Sequence, residues 1–148
     1  MNESFEDQPL GYLLSRVMNA LRTEVTAEVL DPLRVAFPEY LCMRVLSKYP
    51  GHSNADLARA LDVSPQAMNM VLRGLQDRGL VSRPTTVPSG RSLPAQLTRE
   101  GEELLKRTDA GVRAAERRLM ANLTDRERYD FKRILAALGT DPLSLRDH

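Results

Sequence analysis

The sequence predicts a mainly α-helical fold with one small β-hairpin, and three observations lead to this prediction. Apolar residues recur every three or four positions through most of the 148 residues. Apolar and polar residues alternate strictly only near Arg91 to Leu97, directly behind a Pro88-Ser89-Gly90 turn. Two short helical patterns joined by Asp62-Val63-Ser64 stand shortly before that stretch. We therefore predict a winged helix-turn-helix flanked by long N- and C-terminal helices, which we expect to mediate dimerisation.

The composition is that of an ordinary folded protein. Hydrophobic residues make up 42% and charged residues 28%, a balance that argues against disorder. No apolar run reaches the ~18 residues of a membrane-spanning helix, and the acidic N-terminus is unlike a signal peptide. We therefore expect a cytoplasmic protein that has no membrane partner.

The sequence offers little material for catalysis or metal binding. Cys42 is the single cysteine, and His52 and His148 are the only histidines. This set does not provide a cluster with metal-ligand spacing, and we find no glycine-rich phosphate loop and no nucleophile motif. We expect no metal, no cofactor and no enzymatic activity.

Positive charge is concentrated in one segment although the whole chain carries only +1. Residues 64–99 contain five arginines against the single acid Asp77, a local net charge of +4, whereas residues 1–31 carry −4. A duplex phosphate backbone attracts such a segment. The predicted partner of this region is double-stranded DNA.

The first long helix is predicted from Leu10 to about Leu30, because its apolar residues follow helical spacing. Asp31-Pro32 is expected to end it, since the residue before proline avoids helical geometry. About twenty residues span about 30 Å, more than a small winged domain covers. We therefore expect residues 8–31 to pack against other helices, including those of a second copy.

Residues 36–98 are predicted to form the winged helix-turn-helix. Pro38 suits the first turn of a helix over residues 38–48, Ser53 suits an N-cap with Asp56 three residues later, and Ser64-Pro65 begins the next helix. Gly79 is a C-terminal cap.

The helix that begins at Pro65 is predicted to be the recognition helix. Met68, Val71, Leu72 and Leu75 share one face, which leaves Gln66, Asn69, Met70 and Arg73 on the outer face, with Ser64 and Pro65 at the start. Gln and Asn can pair with adenine and Arg with guanine, each discriminating by ~1–3 kcal/mol. We predict that this face reads bases. Alternatively it is a solvated surface, and Met70 either touches a thymine methyl or belongs to the edge of the core.

The wing is predicted from Leu80–Pro84 and from the alternating residues Arg91 to Leu97. Pro94 lacks an amide hydrogen and so fits an edge strand. Arg91, just past the turn, is placed to enter a narrow minor groove. Arg83 is a second candidate for DNA contact, and either arginine could instead be a solubilising charge.

The C-terminal part is predicted to be two helices over residues 99–139. Thr98 and Thr124 are their N-caps, and Thr124-Asp125-Arg126-Glu127 forms a capping box. Residues 1–7 and 140–148 are expected to be loose.

The whole pattern resembles the MarR (multiple-antibiotic-resistance regulator) family of bacterial transcription factors over nearly the full chain. Four segments carry the resemblance: Ala55-Asp56-Leu57-Ala58-Arg59-Ala60-Leu61, Val63-Ser64, Leu75-Gln76-Asp77-Arg78-Gly79-Leu80-Val81 and Leu97-Thr98-Arg99-Glu100-Gly101.

The resemblance implies a homodimer that binds a pseudo-palindromic operator, usually as a repressor. It also implies that a small aromatic or phenolic acid, such as salicylate, weakens DNA binding from a site between the dimerisation helices and the DNA-binding lobe. Candidate effector residues are Tyr12, Arg16, Phe37, Tyr40, Met43 and His52. Each could instead serve the core or, for His52, cap a turn. The wing of the family commonly carries an Asp two residues before its arginine, and Ser89 stands there in this chain.

Two other functions fit part of the sequence. The winged helix could serve protein–protein interaction, or Cys42 could make the protein a redox-responsive regulator. Cys42 lies in an apolar helical segment without a neighbouring base, which favours a small core residue.

Overall fold

The computed structural model describes residues 4–83 and 95–139. Within these two ranges seven α-helices and two short strands follow one another, with a 3-10 turn at Phe5–Asp7 and a π-helical turn at Thr26–Leu30. The helices and strands are α1 (Leu10–Val25), α2 (Asp31–Leu33), α3 (Phe37–Lys48), α4 (Asn54–Ala60), α5 (Pro65–Asp77), β1 (Val81–Ser82), β2 (Gln96–Leu97), α6 (Arg99–Leu119) and α7 (Asp125–Leu138). The predicted mainly helical fold is confirmed.

The first helix does not end at Asp31-Pro32, so that prediction was wrong. Asp31 keeps helical geometry at φ −59° and ψ −47°, and its N–H donates to the Thr26 carbonyl five residues back in the π-helical turn. The helix therefore passes through Pro32 and stops at Leu33, where Arg34 adopts φ +56°. The wider π-helical turn shifts Pro32 to a position where the helix can continue. The predicted loose N-terminus likewise contains one ordered turn, Phe5–Asp7.

One core joins the winged part to the long helices. α3, α4 and α5 surround Met43, Leu57 and Met68, each fully buried. Val29 of the π-helical turn extends the core toward α6, where Gly111 is so close that an added Cβ would stand 2.6 Å from a Val29 methyl. The winged lobe is therefore packed directly onto the first helix and α6.

Local caps fix the helix-turn-helix. Ser53 and Asp56 form a capping box at the start of α4, and the Ser64 hydroxyl accepts the Ala67 N–H at 3.1 Å at the start of α5. The turn between them uses Asp62 at φ +53°, a conformation that Asp tolerates better than most residues. The predicted caps at Thr98 and Thr124 are present as well.

The strands of the predicted wing pair antiparallel, with Val81 opposite Leu97 and Ser82 opposite Gln96. Ala95 is buried, Gln96 exposed and Leu97 half-buried, in the predicted alternation. The predictions for Ser89, Arg91 and Pro94 fall outside the described residues.

Candidate nucleic-acid interface

The outer face of α5 is exposed at Gln66, Met70 and Arg73. Met68, Leu72 and Leu75 are buried on its inner side, and Val71 is half-buried. Gln66 and Arg73 are exposed, Met70 is 74% exposed, and Ser64 and Pro65 stand exposed at the helix start. The structure thus turns the polar residues away from the core, where a duplex could reach them.

Asn69 differs from its neighbours because it is half-buried and held from the wing. Arg83, one residue beyond β1, donates from Nη1 to Asn69 Oδ1 at 3.3 Å. The amide oxygen of Asn69 is engaged, and its NH₂ group remains as a donor. Arg83 is therefore neither a solvated charge nor placed independently of α5, which the sequence did not predict.

The N-terminus of α5 rests on α4. Asn54 Nδ2 donates to the Pro65 carbonyl at 3.3 Å. Arg59 pairs with Asp56 at 2.5 Å, which holds the carboxylate of the α4 capping box. Of these two contacts, the Asn54 hydrogen bond joins α4 to the start of α5, whereas the Arg59–Asp56 pair lies within α4.

Four of the six candidate effector residues form two pairs. Arg16 lies over the ring of Tyr12 at 5.7 Å, both exposed on α1. Phe37 and Tyr40 meet edge to face, their ring centroids 6.3 Å apart.

Met43 and His52 lie apart from those pairs. Met43 is fully buried in the core. The His52 ring packs on Tyr49 at 5.8 Å, and its Nδ1 is 3.6 Å from Asp56.

An apolar cleft of about 460 Å³ separates α1 from the α6–α7 corner. Its lining includes Leu14, Val17, Met18, Leu119, Phe131 and Leu135, and none of the six candidates.

No residue of α7 is buried in the protomer, and Tyr129, Ile134 and Leu138 are exposed by 63%, 46% and 69%. Leu10 and Tyr12 at the start of α1 are 63% and 53% exposed. The N- and C-terminal helices thus present a large apolar surface.

Cys42 is fully buried in α3, and burial raises the pKa of its thiol to about 12, although the charge of Arg83 acts in the opposite direction. The thiolate is the reactive form. This environment argues against a redox role.

Within residues 4–83 and 95–139, no three His, Cys, Asp or Glu side chains come together as metal ligands would. Among the helices of those same ranges, none combines the length and apolar character that crossing a bilayer requires.

The fold and the outward face of α5 define a winged helix-turn-helix protein. Residues 37–93 match the family model described as MarR family. The chain is 55% identical over 136 residues to the HTH-type transcriptional repressor Rv2887 of Mycobacterium tuberculosis, covering 92% of this chain and 97% of that protein. It belongs to the MarR family, whose members named here are transcriptional regulators.

Two solved structures of Rv2887 superpose on the chain. The complex with salicylic acid is 56% identical, covers 90% of this chain and 98% of the other, and gives a TM-score of 0.77. The structure of its complex with DNA shares 51% sequence identity with this chain. The match covers 90% of this chain and 100% of the other, with a TM-score of 0.79.

Proposed function

We propose that this protein is a sequence-specific double-stranded-DNA-binding transcriptional repressor that acts as a homodimer in the cytoplasm. The observation that carries the proposal is the outer face of α5, where Gln66, Met70 and Arg73 are exposed beside a basic wing segment. The relative Rv2887 is named a repressor and has been solved with DNA, which supports the same role for this chain.

In the proposed complex α5 lies in the major groove. Gln66 and the NH₂ group of Asn69 suit adenine edges, Arg73 suits guanine, and Met70 suits a thymine methyl. Ser64 and Pro65 lie where the helix N-terminus meets a phosphate. Arg83 and Arg91 are proposed to contact DNA from the wing.

The dimer is proposed to form through residues 8–31 and 99–139, while residues 36–98 bind DNA. An amphipathic helix such as α7 needs a surface against which its apolar face is buried. A second copy supplies that surface through its own α1 and α7. Two α5 helices then face successive major grooves, ~34 Å apart, on a pseudo-palindromic operator.

The proposed signal is a small aromatic or phenolic acid of the salicylate type. This part rests on the salicylic acid complex of Rv2887 and on the Tyr12, Arg16, Phe37, Tyr40, Met43 and His52 candidates. Such an acid releases DNA only if it binds the DNA-free arrangement more tightly than the DNA-bound one.

The test begins with selection of bound genomic fragments by the purified protein. Gel retardation on a selected fragment is then measured in buffer alone and in buffer with salicylate or other aromatic acids. We expect retardation at low salt and release by salicylate. A protein that retains no fragment contradicts DNA binding, and retardation unchanged by any aromatic acid contradicts the proposed signal.

The dimer is tested separately by Leu138→Glu, which places a charge on the exposed apolar face of α7. Sedimentation is expected to show monomers and gel retardation to weaken. The matched control is Glu102→Gln, a charge change on an exposed position of α6. Dimers that persist in Leu138→Glu at micromolar concentration contradict the assigned interface.

A further inference from the structure

Arg78 stands at the end of α5 but does not point with the outer face of that helix. It follows the last residue, Asp77, and precedes Gly79, whose φ of +73° reverses the chain. The Leu80 N–H closes this turn on the Leu75 carbonyl at 2.9 Å. The backbone at Arg78 is thereby fixed, and its side chain extends back toward the first helix.

The Arg78 guanidinium contacts the other end of the lobe, 44 residues earlier in the chain. Nη1 donates to the Arg34 carbonyl at 2.6 Å, and Nη2 lies 3.4 Å from the Leu33 carbonyl. These carbonyls belong to the end of α2, where helical N–H donors have run out. A cation at that point also complements the negative end of the helix dipole. Arg78 therefore caps the first helix from the recognition helix.

Glu39 at the start of α3 is the third partner in this contact. Its Oε1 accepts the Ala36 N–H at 2.9 Å and lies 3.9 Å from Arg78 Nη1. The Glu39 side chain is only 17% exposed, against 36% for Arg78. The end of α2, the start of α3 and the end of α5 thus share one polar junction, which we call the Arg78 junction (Leu33, Arg34, Glu39 and Arg78).

The junction matters because of where it lies on α5. The 13 residues of α5 span about 20 Å at 1.5 Å per residue. A rotation of about ten degrees at the Arg78 end moves the Pro65 end by about 3 Å, close to the ~3.4 Å rise of a base pair. A tilt of that size would displace the Pro65 end by about one base-pair step.

We propose that Arg78 is a positioning residue that fixes the angle of α5 relative to the first helix, and so sets which half-site spacing the dimer accepts. The inference rests on the proposed function, because the first helix carries the face assigned to the dimer. A different role for Arg78 is direct contact with phosphate, and the two roles predict different measurements.

The experiment uses a fragment selected by the wild-type dimer, its isolated half-site, and versions with one base pair inserted or deleted between half-sites. Arg78→Ala and Arg78→Gln remove the charge, whereas Arg78→Lys keeps the charge without the planar fork that reaches two carbonyls. Arg107→Ala, an exposed arginine of α6, is the matched control. Circular dichroism and sedimentation confirm that each variant folds and dimerises.

We expect all three Arg78 variants to bind the full site about tenfold more weakly or worse, because each loses the two-pronged contact to the end of α2. Half-site affinity is expected to stay within about threefold for Arg78→Lys. The preference for the native spacing over the altered ones is expected to fall in every variant, while Arg107→Ala behaves as wild type.

Two results overturn the inference. Wild-type spacing preference in Arg78→Ala and Arg78→Gln shows that Arg78 does not set the angle of α5. Equal losses on full and half sites, with the slope of log affinity against log salt reduced by about one, show a phosphate contact. If the wild-type protein retains no fragment, the proposed function fails first, and that outcome is distinct from both.

Discussion

The hydroxyl of Tyr40 donates a hydrogen bond to Oδ1 of Asp109, 3.1 Å away, and thereby joins α3 to α6. Arg44 reaches the other carboxylate oxygen at 3.2 Å from the exposed side. Burial, with the Asp109 charge as a second cause, raises the pKa of Tyr40 to about 12. The pair links the winged lobe to the long C-terminal helix.

Replacing Tyr40 with Phe removes that hydrogen bond and is expected to lower the free energy of unfolding by about 1 kcal/mol at neutral pH. Because folding raises the Tyr40 pKa above its ordinary value of 10, its contribution is complete below pH 10 and is lost as pH rises toward 12. The difference between wild type and Tyr40→Phe in urea unfolding should therefore shrink over that range. Both proteins contain Cys42, so its titration cancels in the comparison. A constant difference up to pH 12 would contradict the assignment.

Cys42 is expected to resist thiol reagents in the folded protein. Its side chain is inaccessible, and the raised pKa leaves almost no thiolate at pH 8. Labelling with dithiobis(nitrobenzoate) should be slow in buffer and fast in urea. Gel retardation should survive dilute peroxide, with Cys42→Ser as the control. Rapid labelling of the native protein would revive the redox interpretation.

Arg73→Ala is expected to leave the dimer intact and to weaken binding to the selected fragment about ten- to hundredfold, since one bidentate arginine–guanine contact discriminates by ~1–3 kcal/mol. Binding to random DNA should fall much less. Arg107→Ala serves as the control because it removes the same charge from an exposed site on α6. If Arg73→Ala loses selected and random DNA equally, Arg73 contacts phosphate and not bases. Unchanged binding would favour the protein-interaction alternative for this face.

Gly111→Ala is expected to destabilise the protein by about 1–3 kcal/mol through overpacking, because the new Cβ would stand 2.6 Å from a Val29 methyl. This loss exceeds the ~1 kcal/mol that alanine gains over glycine in a helix. Gly11→Ala, with open space around it in the protomer, should be neutral or stabilising. In a double-mutant cycle, Val29→Ala should offset part of the loss. Strict additivity would mean that the two residues do not compete for space.

The helix boundaries that sequence predicted well depend on neighbouring residues. Ser53, Ser64 and Thr124 each accept the backbone N–H three residues ahead through the side-chain hydroxyl, so donor and acceptor lie within one short segment. The inner and outer faces of α5 follow from spacing alone for the same reason. The prediction that the first helix ends at Asp31-Pro32 was wrong because a π-helical turn precedes Pro32 and lets the helix continue. No local pattern in the sequence indicates that wider turn.

The contacts that sequence did not predict join distant segments. Arg83 and Asn69 are 14 residues apart, and Arg78 and Arg34 are 44 apart. Each arginine looked like one more charge for phosphate, because a charge count carries no information about direction. Only the packed arrangement of the helices shows that Arg83 contacts Asn69 and that Arg78 contacts the Arg34 carbonyl. The effector residues remain predictions, because none of the six lines the apolar cleft of the protomer.

No residue of α7 is buried in the protomer. The stability of the protein should therefore depend on its concentration wherever the proposed dimer covers this helix. In the proposed dimer a second copy covers this apolar face, so each protomer exposes it only while it is unpaired. Melting temperature then climbs with protein concentration, as it does whenever association adds to folding. In the proposed dimer, a low concentration of the protein would therefore leave a larger share of it unpaired and less stable.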